Sequence, residues 1–204
     1  MLKDLKYMEL LEEVASKSPA PGGGSVSAAV GGCGCALLTM VCNLTIGKKK
    51  YKDVEPQVTE LRGRAEELGA RFVELIDEDT AAFNRLFAFF KLKEMTEEQK
   101  REMAEAERVC INVPQTTMKT ALAALETAAE LAPIGNKNAI SDVGVAVLCL
   151  DTAFRGAGFN VRINLAGMDE EARKPYEEWL GETAERFDGV LEQAMEPVKA
   201  ELGL

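Results

Sequence analysis

A chain of 204 residues, 47% of them hydrophobic, suffices for one domain with a sizeable core, spanning 1–204, and is short for two. It contains no histidine, which excludes Ser-His-Asp and Cys-His nucleophilic systems, imidazole-bound zinc and an imidazole general base. Any proton chemistry must then use carboxylate, lysine, tyrosine or cysteine, and the net charge of −10 lacks the basic footprint of a nucleic-acid binder.

In chain order, Asp4 to Lys17 places Leu5, Met8, Leu11 and Val14 or Ala15 at three- and four-residue steps, the period of an amphipathic helix. The run Ser18-Pro19-Ala20-Pro21-Gly22-Gly23-Gly24 ends it. From Ser18 to Gly47 no residue is charged, which is long enough to span a membrane. Its Gly, Ala, Ser25, Ser27, Thr39, Asn43 and Thr45 content instead predicts a central helix surrounded by protein. Gly24, Ala28, Gly32 and Ala36 recur every four positions, a stripe along which another helix can approach closely. The five cysteines (Cys33, Cys35, Cys42, Cys110 and Cys149) form no disulfide framework, and no signal-peptide pattern precedes them, so a reducing cytoplasm is expected. Cys33-Gly34-Cys35 lacks a second pair to complete a metal site and reads as small apolar filling; no metal is expected.

Gly47-Lys48-Lys49-Lys50-Tyr51 is a basic turn, followed by Asp53 as N-cap and Pro56 in the first turn of a long helix. Its seam runs Leu61, Ala65, Leu68, Phe72, Leu75, Asp79, Ala82 or Phe83, Leu86 and Phe90 through about ten turns. Thr96 and Gln99 form a capping box for a second long helix, bent near Pro114 and continuing to Ala132. Pro133 to Ile140 reads as a loop, Ser141-Asp142 starts a helix to about Ala157, and Asp169 caps a last charged helix. Phe159 to Leu165 is the only segment with any strand character. The expected fold is all-α, a single-domain bundle of about six helices, two of them long.

Asp79 breaks an apolar seam. A carboxylate there has a raised pKa unless donors or a cation meet it, which makes it a general acid or base, a cap for a neighbouring helix, or half of an ion pair. Gly22-Gly23-Gly24-Ser25 at a helix start offers backbone amides to an anion, or serves simply as a turn; no Lys-Ser or Lys-Thr follows for a phosphate-binding loop. Lys48, Lys49 and Lys50 either neutralise an anionic ligand tail or cap a helix C-terminus. Asn136, Lys137 and Asn138 with Ser141 and Asp142 gather amides, an ammonium and a carboxylate suited to a polar heterocycle, though all are ordinary loop residues too. Asn43, Asn160 and Asn164 are internal cross-links or ligand contacts, the last two sharing a face if their helix extends that far.

Taken together, Pro19-Ala20-Pro21-Gly22-Gly23-Gly24-Ser25, Asn43-Leu44-Thr45 with the lysine turn, Asp79 to Phe83, Gly135 to Asn138 with Ser141 to Gly144, and Asn160 to Asn164 resemble the cyclodeaminase/cyclohydrolase family of folate enzymes, in order and over nearly the whole chain. The resemblance implies an all-helical homodimer or higher assembly acting between N5 and N10 of tetrahydrofolate, with no cofactor beyond that substrate. It implies Asp79 and Asp142 as catalytic groups. Gly23, Gly24, Ser25, Asn43, Lys48, Lys49, Lys50, Asn136, Asn138, Ser141, Asn160 and Asn164 are the implied substrate-binding set. Formimidoyltetrahydrofolate cyclodeamination is the preferred activity, methenyltetrahydrofolate cyclohydrolysis its alternative, and a non-catalytic folate-binding or helical interaction protein the alternative of another class.

Overall fold

Apolar residues at helical spacing organise the whole chain. The computed structural model describes residues 1–204 as six α-helices without a strand, in agreement with the expected class. They are α1 (Tyr7–Val14), α2 (Gly23–Thr45), α3 (Glu55–Phe89), α4 (Glu97–Leu131), α5 (Ile140–Leu165) and α6 (Glu170–Leu202). Helices α2, α3, α4 and α5 pack in a closed ring, each against the next and α5 back against α2, while α6 lies outside across α4 and α5. Leu38, Phe72, Leu125 and Leu150, one from each ring helix, are fully buried at the centre. Phe187 of α6 stacks on Phe154 of α5, with ring centroids 3.8 Å apart.

Local chemistry accounts for most of the boundaries. Thr96 Oγ1 accepts from the Gln99 amide at 3.2 Å, and the Thr96 amide donates to Gln99 Oε1 at 2.9 Å, the reciprocal bonds of a capping box. Asp169 Oδ1 accepts from the Ala172 amide at 2.8 Å. Several expectations shift. The first helix stops at Val14 and buries no side chain; only a single 3₁₀ turn, Leu2–Asp4, precedes it. The cap of α3 is Val54 rather than Asp53; upstream, Gly47, with φ of 78°, reverses the chain and donates its amide to Glu55 Oε2 at 2.9 Å. Helix α4 runs on through Pro114, and α6, at 33 residues, is nearly as long as α3 and α4 at 35 each. A 3₁₀ turn, Lys137–Ala139, opens α5, which continues to Leu165 and includes the supposed strand; its inward residues, Ala157, Val161 and Leu165, keep the four-residue step.

Close packing of α2 also departs from the four-residue stripe. Against α3 it presents Gly24, Ala28, Gly31 and Cys35: a Cβ on Gly31 would collide with the Phe72 ring, and one on Gly69 would sit 3.2 Å from Cys35 Cβ. Gly32 is half-buried and Ala36 exposed. The reason is helical phase: four-residue steps drift about 40° per step, so only a mixture of three and four stays on one partner. On an adjacent face Gly34 lets α5 approach, a Cβ there lying 3.1 Å from the Ala146 carbonyl oxygen. Helix α2 is long and apolar enough to cross a membrane by length and composition, yet half of that stretch is buried inside the bundle.

Candidate active site

The first turn of α2 is built around Asp79. Because Gly24 has no side chain, the Asp79 carboxylate of α3 approaches the α2 backbone where any Cβ would collide with it. The Ser25 hydroxyl, buried beneath, lies 3.0 Å from Asp79 Oδ2, 2.9 Å from the Ile76 carbonyl and 3.0 Å from Thr80 Oγ1. Its one proton serves a single acceptor; when Ser25 donates to Ile76, a protonated Asp79 can donate to Ser25 in turn. Burial raises the Asp79 pKa above the ordinary carboxylate range, and the Ser25 hydroxyl and amide only partly offset it. No lysine or arginine pairs with Asp79, so the ion-pair reading of its place in the seam does not hold.

Asp79 opens onto a cavity of about 710 Å³. Gly23, Gly24 and Asn160 line it beside Asp79; Phe83, Leu86 and Phe90 continue the α3 wall, and Glu107, Arg108, Cys110 and Ile111 form the α4 wall. Asn160 and Asn164 share a face, as a longer α5 requires. Asn160 Nδ2 donates to the Gly156 carbonyl at 2.8 Å and Asn164 Nδ2 to the Cys110 carbonyl at 2.6 Å, which ties α5 to α4 across the cavity. Burial pushes the Cys110 thiol up to about 11, with the Asp79 and Glu107 carboxylates adding to the shift, so it stays protonated. Sequence reasoning missed the α4 wall, whose residues obey ordinary amphipathic spacing. It also took Phe83 and Phe90 as core, whereas Phe90 is 60% exposed at the cavity rim.

The remaining expected residues lie at the far end of α2, about 34 Å away by helix length. There Asn136, 5% exposed, is fully engaged: its amide donates to Thr45 Oγ1 (2.9 Å), its Nδ2 to the Leu44 carbonyl (2.9 Å), and its Oδ1 accepts from the Asn138 amide (3.1 Å). These bonds close the loop over carbonyls that the end of α2 leaves open. Asn43 is exposed near Arg62 (3.4 Å), Lys48, Lys49, Lys50, Asn138 and Ser141 face solvent, and Asp142 is half-buried. One chain therefore unites Asp79, Gly23, Gly24, Ser25, Asn160 and Asn164 and sets the others apart. Cys33 is exposed and Cys35 buried on opposite sides of α2, so the pair does not converge on one ion.

An all-helical bundle with a half-buried carboxyl that has no cation beside it, at the wall of an open cavity, and with no histidine, defines a protein suited to proton transfer on a bound organic substrate. Residues 6–181 match the family model described as formiminotransferase-cyclodeaminase, and the chain belongs to that folate cyclodeaminase/cyclohydrolase enzyme family. It is 36% identical over 188 residues to a methenyltetrahydrofolate cyclohydrolase of Methylorubrum extorquens, covering 90% of this chain and 88% of that one. It is 32% identical over 206 residues to the rat formimidoyltransferase-cyclodeaminase, covering 99% of this chain and 37% of the longer relative. The crystal structure of a formiminotetrahydrofolate cyclodeaminase from Thermotoga maritima superposes with a TM-score of 0.89 at 30% identity, covering 99% of this chain and all of that one.

Proposed function

We propose that this protein is a cytoplasmic formimidoyltetrahydrofolate cyclodeaminase that forms 5,10-methenyltetrahydrofolate and ammonia. One observation carries the choice: a carboxyl whose burial favours its protonated form stands at the cavity wall with no cation beside it. N10 attacks the formimino carbon on N5 and its proton passes to the imino nitrogen, giving a ring carbon that bears an amino group. Expulsion of ammonia needs one more proton, which Asp79 supplies; the carboxylate left behind then faces the cationic bridge and stabilises it. Gly23, Gly24, Ser25, Asn160 and Asn164 position the bridge, and the proposal calls for no cofactor beyond the folate substrate.

A second reading has its own support, the similarity to the Methylorubrum extorquens cyclohydrolase over most of both chains. Here ionised Asp79 takes a proton from water as it adds to the cationic carbon. Supplying the formimino substrate, with methenyl absorbance and released ammonia both recorded, and separately following hydrolysis of the methenyl compound, distinguishes the two. Methenyl product and ammonia rising together are expected. Hydrolysis without ammonia release makes the chain a cyclohydrolase, and neither reaction leaves a non-catalytic binder.

The functional unit in this proposal is a homodimer in which the far end of α2 from one protomer covers the cavity of its partner. Such an arrangement brings Asn43, Asn138, Ser141 and Asp142 to the substrate and places Lys48, Lys49 and Lys50 near the outer carboxylates of a polyglutamate tail. Its support is an apolar face on α2 and α5. Val26, Cys33, Leu37, Met40 and Leu44 run along α2, beside exposed Val145, Leu148 and Phe159 of α5. The two stripes adjoin, since Cys33 is near enough to Cys149 to raise its thiol pKa.

A further inference from the structure

We infer that Arg108 is a specificity-determining residue that holds the first glutamate carboxylate of the substrate, with Phe83 and Phe90 as the wall against which its flat rings lie; this rests on the folate reading above. The cavity lining contains two carboxylates, Asp79 and Glu107, and a single cation, Arg108. A folate is chemically polarised along its length: the reacting bridge sits beside the pterin, flat apolar rings follow, and ionised carboxylates end it. The cavity offers a group for each part. Asp79 lies in the buried part at the start of α2, Phe83, Leu86 and Phe90 continue along α3, and the Arg108 side chain is 63% exposed on the facing helix.

Within one chain Arg108 is bound only to Glu105, three residues earlier, at 2.8 Å, and Glu105 does not line the cavity. An exposed pair within one helix contributes little and exchanges readily for an incoming carboxylate. A guanidinium grips a carboxylate with two parallel N–H bonds, which fixes the direction in which the tail leaves. Glu107, on the same rim, repels a misplaced tail and narrows the choice to the arginine. Arg85 of α3 is a nearby cation whose charge reaches Cys110, but it does not line the cavity.

The test compares the monoglutamate substrate with an analogue whose glutamate is replaced by a neutral amide, in wild type and in Arg108→Ala, Arg108→Lys and Arg85→Ala. Arg108→Ala should raise KM for the glutamate form roughly tenfold to a hundredfold, leave kcat little changed and leave the amide analogue unaffected. Arg108→Lys should recover part of the loss. Equal effects on both substrates, or a selective loss in Arg85→Ala instead, overturn the assignment. Calorimetric binding of tetrahydrofolate to the wild type is measured alongside. A chain that binds no folate refutes the folate reading itself, whereas one that binds and turns over folate with no Arg108 selectivity refutes only this inference.

Discussion

Asp79 does two things that pull against each other. In the proposed mechanism its burial serves proton transfer, and the same burial works against the fold whenever the carboxyl is ionised. The folded-state pKa is raised, so over the window between the ordinary carboxylate range and that raised value the unfolded chain releases its proton first. Stability therefore falls as pH rises through the window and is regained below it. Asp79→Asn removes this dependence while keeping an amide that can still meet Ser25. Its melting temperature at neutral pH should equal or exceed that of the wild type, and the difference should shrink or reverse in acid. Turnover should drop roughly a hundredfold or more. If acid melting profiles of the two proteins run parallel, the raised pKa is wrong; if a folded variant turns over at the parental rate, Asp79 is not the proton donor.

Among the elements, α2 is the most constrained because glycine is required where a neighbour occupies the Cβ position. Gly31→Ala drives a methyl into the buried Phe72 ring and should destabilise by about 1–3 kcal/mol. Gly181→Ala in α6 meets nothing within 4 Å and should stabilise by about 0.5–1 kcal/mol through helix propensity alone. Urea denaturation of both variants gives the comparison; equal effects would mean that α2 relaxes freely around Phe72. This contrast also shows what the sequence could reveal. The bundle and its long helices were legible because Leu61, Ala65, Phe72 and Leu75 keep one phase, and Asp79 stood out as a carboxylate in that same phase. Arg108, Glu107 and Ile111 were not legible: nothing in helical spacing tells a wall of a cavity from a solvated face until α3 and α5 are in place. Asn136 showed the opposite problem, since a buried amide that closes a loop and one that meets a ligand carry the same letter.

For the molecule as a whole, the proposal joins residues from opposite ends of a helix about 34 Å long in one reaction. In the proposed homodimer a two-fold pairing through the apolar α2 and α5 stripes, with the α2 copies antiparallel, would set the far end of each against the cavity of the other. It would also cover side chains such as Leu148, which is 57% exposed in one chain. Leu148→Glu should keep its helix content, sediment as a monomer at micromolar concentration and lose most activity. Subunit mixing tests the shared site directly. Asp79→Asn and Asp142→Asn should each be nearly inactive, and denatured together and refolded they should recover about a quarter of wild-type activity, since half of the randomly paired dimers are mixed and each mixed dimer has one intact site of two. A mixture as inactive as its components would place both carboxylates in the same protomer's site. An active Asp142→Asn protein would remove that residue from the chemistry, leaving Asp79 as the only carboxylate assigned to proton transfer.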